Sequence, residues 1–228
     1  MPTTTWTHLP PDRRERILVA AMDEFGTHGY STGSLNVIAR QAGVAKGSLF
    51  QYFAGKLDLF TYVAEQTSLR IFEAMRPWLD GYSGAAPGTD GPRAAQDFPS
   101  YLVDAIDAWV SYFETHPLER GVTAATNMEI DPVVRQAVLE PVQHLYLAGL
   151  RPLVEEAVAA GELCADADVD ALLSLLLLLL PHTALAPFFP AVAGPVALPR
   201  GDRAARRTAI ERLVHPVLAG FRPARAPD

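Results

Sequence analysis

The chain has 228 residues, 49% of them hydrophobic and 20% charged, with a formal net charge of −7. That length supplies interior for one large or two small domains and excludes a peptide-sized module, while the hydrophobic share excludes wholesale disorder. The single cysteine, Cys164, excludes an internal disulfide and a thiolate metal cluster and agrees with a reducing, cytoplasmic location.

Residues 1–11 show no periodicity around Trp6 and read as a loose arm without the apolar core of a signal peptide. A first helix begins near Asp12. Ile17, Leu18, Ala21, Met22 and Phe25 form its apolar stripe, and Arg13, Arg14 and Arg16 fall in its first turns, where solvent takes them except for Arg14, which can reach a phosphate.

Between Ser34 and Lys56 two short helical patterns meet at a glycine. Leu35, Ile38, Ala39 and Ala42 recur at helical spacing behind Ser34, a candidate N-cap. Gly43 supplies the left-handed residue that ends a helix, and Val44 can pack back on it. A second helix from about Lys46 to Phe53 turns Leu49 and Phe53 inward and leaves Lys46, Ser48, Gln51 and Tyr52 outside. The pair reads as helix-turn-helix. No acidic residue occurs from Phe25 to Leu57, while Arg40, Lys46 and Lys56 are positive, a local bias that favours a phosphate backbone. Residues 1–60 carry six Lys/Arg against five Asp/Glu, and the rest 13 against 21, so an only slightly basic head sits on an acidic body.

Gly55–Leu79 reads as one longer helix, with Pro77 as its first breaker, and Gly81–Pro99 as a flexible connection rich in Gly, Pro and Ala. Ser100–His116 and Leu118–Met128 follow as helices. Asp131 can cap a long helix running towards Gly161, in which Pro141 and Pro152 predict kinks or a division into two. The sequence ADADVD at residues 165–170 lacks the glycine and the glutamate of a calcium loop and suits helix capping. Val169–Ala186 is apolar on all sides and requires protein on more than one of them. Ala171–Leu198 holds 28 residues without a charge, but its prolines and its short unbroken apolar run exclude a membrane span. Asp202 opens a last helix, with Ile210, Leu213, Val214, Val217 and Phe221 inward and Arg203, Arg206, Arg207 and Arg212 outward.

No catalytic constellation is present: GYSG at 81–84 lacks nucleophile-elbow spacing, no glycine loop can cradle a phosphate, and the six histidines have no paired helical spacing. No enzyme activity, cofactor or metal is implied.

Gly29-Tyr30, Ile38-Ala39, Ala42-Gly43-Val44, Lys46-Gly47, Phe53 and Lys56 together resemble the DNA-binding signature of the TetR family of bacterial regulators. The resemblance covers roughly Arg13 to Phe60. Ala45 and Phe50 depart from it, each removing a hydroxyl that the family usually carries. It implies an all-α protein: a three-helix DNA-binding domain (8–59) joined by a long helix to a helical ligand-binding and dimerisation domain (60–228). It further implies a homodimeric repressor of a pseudo-palindromic double-stranded operator, released by a small, mainly hydrophobic effector. Two readings stay open beside it: a DNA-binding regulator controlled by a protein partner, and a helical metabolite-binding protein or enzyme with a DNA-binding-like head.

On this reading Lys46, Gly47, Ser48, Gln51 and Tyr52 meet the major groove, while Ser34, Lys56 and Arg40 serve phosphates. The effector cavity lies between the long connecting helix and the body helices, lined from among Trp109, Tyr112, Phe113, Thr126, Asn127, Gln143, His144 and Tyr146. Of its polar members, Thr126 and Asn127 precede the long helix, while Gln143 and His144 follow the expected kink at Pro141. The dimer is built from Val169–Ala186 and Asp202–Phe221 of each subunit.

Overall fold

Apolar residues recur every three or four positions through most of this chain, and it folds accordingly into helices. The computed structural model describes residues 2–82 and 96–223, and among them there is no strand. The helices are α1 (Thr4–Thr7), α2 (Pro11–Thr32), α3 (Leu35–Gln41), α4 (Lys46–Tyr52), α5 (Lys56–Leu79), α6 (Phe98–Thr115), α7 (Pro117–Asn127), α8 (Pro132–Ala159), α9 (Val169–Leu185) and α10 (Arg203–Ala219). Packing divides the chain into two units, Met1–Ile71 with His116–Leu145, and Phe72–Thr115 with Tyr146–Asp228. Both α5 and α8 therefore contribute residues to each unit.

In the first unit Ile17, Met22, Phe25, Ile38, Leu49, Phe53, Phe60 and Val63 make one buried cluster. Burying such side chains stabilises by about 1.5 to 3 kcal/mol each, which is what holds helices as short as α3 and α4 in place. Gly29 sits at φ 70°, a left-handed value that breaks the helical path of α2 before Tyr30. α7 packs closely on α2, with Gly26 and Gly121 at the crossing.

In the second unit α6 packs against α9 and α10. Asp168 and Asp202 cap α9 and α10 by accepting from Ala171 N at 2.9 Å and Ala205 N at 3.0 Å. Asp131 likewise caps α8, accepting from Val133 N at 2.9 Å and Val134 N at 3.2 Å. The indole of Trp109 on α6 donates to Leu180 O of α9 at 2.8 Å.

Three expectations differ from what the fold shows. The arm is not loose: α1 is a single turn with Trp6 buried at its centre. The division into two helices allowed for at Pro141 and Pro152 does not occur, since α8 runs as one helix from Pro132 to Ala159. Arg206 is not outside but 3% exposed, because Asp107 (Nε to Oδ1, 2.8 Å), Glu114 (Nη1 to Oε1, 3.0 Å) and Ser111 (Nη2 to Oγ, 2.7 Å) on α6 surround its guanidinium. Acidic partners a hundred residues away left no trace in the periodicity of α10. Most of the connection drawn at Gly81–Pro99 lies outside the described residues; at its ends Glu162 accepts from Tyr82 OH at 2.9 Å and from Phe98 N.

Candidate nucleic-acid interface

The turn between α3 and α4 follows from one glycine. Gly43 lies at φ 67°, Gly43 N donates to Arg40 O at 3.2 Å and Val44 N to Ala39 O at 2.9 Å, so the left-handed residue closes α3 and Val44 folds back against the core. Ser34 is the N-cap residue of α3, but its side chain makes no capping bond; instead its amide donates to Glu24 Oε1 at 2.8 Å. Glu24 is 5% exposed and fixes where α3 begins. A carboxylate on the face of α2 that also carries Ile17 was the signal that could have singled it out.

α4 is mounted on Leu49, Tyr52 and Phe53, all buried. Lys46, Gly47 and Gln51 are exposed and Ser48 half-buried on its other side, and a Cβ built on Gly47 would meet nothing within 4 Å. Tyr52 was expected on that outer face and is not there. It is 3% exposed, because Trp6 lies 5.9 Å from it, ring centre to ring centre, and covers it. Phe50, which the sequence offered only as a departure from the family pattern, is 51% exposed. It places an apolar ring in water beside Lys46 and Gln51, where a thymine methyl is a suitable contact.

Arg40 is exposed in the last turn of α3. Lys56 begins α5, but its Nζ turns back to donate to Ser31 O at 3.0 Å and lies 4.8 Å from the Tyr30 ring centre. Burial lowers the pKa of its ammonium, and the carboxylates of Glu24 and Glu129 oppose that shift. A lysine has three donors, so the bond to Ser31 does not exhaust it. Arg14 is half-buried, with a shielded Nε that has no hydrogen-bond partner.

A second feature lies within the other unit: a cavity of about 50 Å³ between α5, α6, α8 and α9, walled almost wholly by apolar side chains. Met75 and Trp78 of α5, Trp109 of α6, Tyr146 and Leu150 of α8 and Leu176 of α9 are among its lining. Of the eight residues anticipated, Trp109 and Tyr146 line it. Phe113 and Tyr112 are not in the lining: Phe113 meets Trp109 edge-to-face at 4.9 Å between ring centres, and Tyr112 meets Phe113 likewise at 5.5 Å. Thr126, Asn127, Gln143 and His144 belong to the first unit. Thr126 and Asn127 bond back to Thr123 O, while Gln143 and His144 are exposed on α8. The long connecting helix was expected to wall the cavity, but its lining residues Met75 and Trp78 were not singled out, because helical periodicity does not say which inward residues face a void.

Two family models match the chain and together span more than half of it: bacterial regulatory proteins of the tetR family over residues 17–63, and the tetracyclin repressor-like C-terminal domain over residues 100–186. The HTH-type transcriptional activator FasR of Mycolicibacterium smegmatis is 41% identical over 46% of this chain and 43% of its own length. YhgD of Bacillus subtilis, an HTH-type transcriptional regulator, is 25% identical over 66% of this chain and 71% of its own. Among solved structures, the transcriptional regulator FadR of Bacillus subtilis in complex with stearoyl-CoA aligns over 88% of this chain and 96% of that one, with a TM-score of 0.63 at 18% identity, a likeness of fold.

Proposed function

The chain belongs to the TetR family and is a DNA-binding transcriptional regulator, and from that premise we propose that it binds a pseudo-palindromic operator as a homodimer and leaves it when an apolar effector occupies the cavity of the second unit. The observation that carries this reading is the outer face of α4. Lys46, Gly47, Ser48, Phe50 and Gln51 stand free of the core, on a helix whose other face is anchored by Leu49, Tyr52 and Phe53. A helix so mounted fits a major groove, with Gln51 suited to an adenine edge and Lys46 to a guanine or a phosphate. Ser34 and Arg40 add phosphate contacts from α3. Lys56 contributes through whatever donor capacity Ser31 leaves it.

Dimerisation is supported by α9. Leu175 is 40% exposed and Leu178 73%, while Leu172, Leu173 and Leu176 are buried. Leaving large apolar side chains in water forfeits about 1.5 to 3 kcal/mol each, and a second copy meeting its own α9 and α10 would recover it. Two copies of α4 would then address half-sites one helical turn apart, about 34 to 36 Å.

The effector reading rests on the chemistry of the cavity wall. No charged side chain lines it, so the part of the ligand it takes is hydrocarbon or aromatic. A volume of about 50 Å³ holds only a few water-sized spheres, so any larger occupant has to move α5, α6, α8 or α9. Because α5 and α8 continue into the DNA-binding unit, such movement has a covalent route to α4, and it alters DNA affinity only if the ligand prefers the moved state. The complex of FadR with stearoyl-CoA makes an acyl chain the first class to try. Activation in place of repression is a second reading, favoured by the similarity to the activator FasR.

The test is selection of duplexes from a random pool by the full chain, followed by sedimentation with and without the selected duplex, and a reporter assay for the sign of regulation. Enrichment of a two-fold symmetric sequence bound by two chains is the expected result. Enrichment of an asymmetric site by a single chain would sink the dimer reading.

A further inference from the structure

A helix leaves its last four carbonyls without intrahelical partners, and in α4 one residue from the start of the chain takes two of them. Thr3 Oγ1 donates to Gln51 O at 2.6 Å and Thr3 N to Tyr52 O at 2.9 Å. Three residues on, Trp6 is buried with its ring 4.9 Å from Phe53 and 5.3 Å from Tyr62, and its indole N–H donates to Tyr62 OH at 3.1 Å. The turn between Thr3 and Trp6 is itself closed, with Trp6 N bonded to Thr3 O at 3.0 Å. One end of this segment therefore caps α4 from outside, and the other is fastened to α5.

α4 needs such support. It has seven residues, no side-chain cap from Ala45, and a glycine in its first turn, and helices of that length are marginal alone. We propose that residues 3–6 form a strap that fixes the C-terminal end of the recognition helix, making Thr3 and Trp6 positioning residues for sequence-specific DNA binding. The inference rests on α4 being the helix that reads the operator. Thr3 holds the carbonyl of the residue whose side chain, Gln51, is placed to read a base. Base readout demands a fixed geometry, whereas attraction to phosphates tolerates slack, so the strap acts on specificity more than on binding as such.

The experiment uses the full chain, a duplex enriched by the unaltered protein and a random-sequence duplex of equal length. Trp6→Ala is expected to weaken the enriched duplex about tenfold and the random one by less than about twofold, with an unchanged salt slope. Trp6→Phe, which keeps most of the ring packing, should recover most of the loss. Thr3→Val removes only the hydroxyl that bonds Gln51 O and should lower specificity in the same sense, so it carries the test if Trp6→Ala does not fold. Hydrogen exchange gives a second readout that needs no DNA: amides of α4 near Tyr52 and Phe53 should exchange about tenfold faster in Thr3→Val, with the core of α2 unaffected. Equal losses on both duplexes, or unchanged exchange in α4, overturn the strap. Failure of the unaltered protein to enrich any duplex counts instead against α4 as the reader, and the exchange result then decides the strap alone.

Discussion

Gly26 and Gly121 cross so closely that a Cβ on either would lie 3.0 Å from the backbone of the other. Neither neighbour is a flexible side chain end, so the two helices themselves would have to part. Gly121→Val is expected to destabilise the first unit by about 1 to 3 kcal/mol, the cost of overpacking a tight crossing. A denaturant midpoint equal to that of the unaltered chain would show that α2 and α7 separate freely.

The guanidinium of Arg206 and the carboxylate of Asp107 are each 3% exposed and 2.8 Å apart. Removing Asp107 takes one of two carboxylates from this buried guanidinium and leaves it Glu114 and Ser111, at a cost of up to about 3 to 5 kcal/mol. Asp107→Ala should therefore lower stability by that order. Replacing both, Asp107→Leu with Arg206→Met, should recover much of it, and the double-mutant cycle measures the coupling. Additive losses would mean that Glu114 and Ser111 hold Arg206 unaided.

On the DNA side, Lys46→Ala should weaken all duplexes alike and reduce the salt slope by about 1 if Lys46 meets a phosphate, whereas Gln51→Ala should relax preference at one base pair by about 1 to 3 kcal/mol. Phe50→Ala should abolish discrimination between thymine and uracil at one operator position, since those bases differ only in the methyl. Binding titrations over a salt series, with singly substituted duplexes, distinguish these outcomes.

Leu178→Glu places a charge at the most exposed leucine of α9 and should yield a monomer at micromolar concentration with unchanged helicity. Sedimentation velocity reads the result directly. A variant that sediments like the unaltered chain would remove α9 from the interface.

For the cavity, Ala105→Leu adds bulk to a lining residue and should abolish the thermal shift given by a long-chain fatty acid or its CoA thioester. Asn127→Leu and Gln143→Leu lie outside the lining and should leave that shift intact. Loss of the shift in the latter pair alone would place the ligand elsewhere.

Helix identity, the turn at Gly43, the aspartate caps and the family itself were legible in the sequence, because each is a local property: a spacing, a capping side chain, or a residue type that alone tolerates a left-handed backbone. The outer face of α4 was legible for Lys46, Gly47, Ser48 and Gln51 by the same logic. Tyr52, Arg206 and Trp6 were not. Whether each is buried depends on a partner from a distant part of the chain, Trp6 over Tyr52, Asp107 beside Arg206, Tyr62 under Trp6. The cavity is non-local in the same way, since a void belongs to four helices at once and to no stripe in particular. Periodicity ranks which faces turn inward; only the packed tertiary structure decides which polar side chains follow them, and where the faces fail to meet.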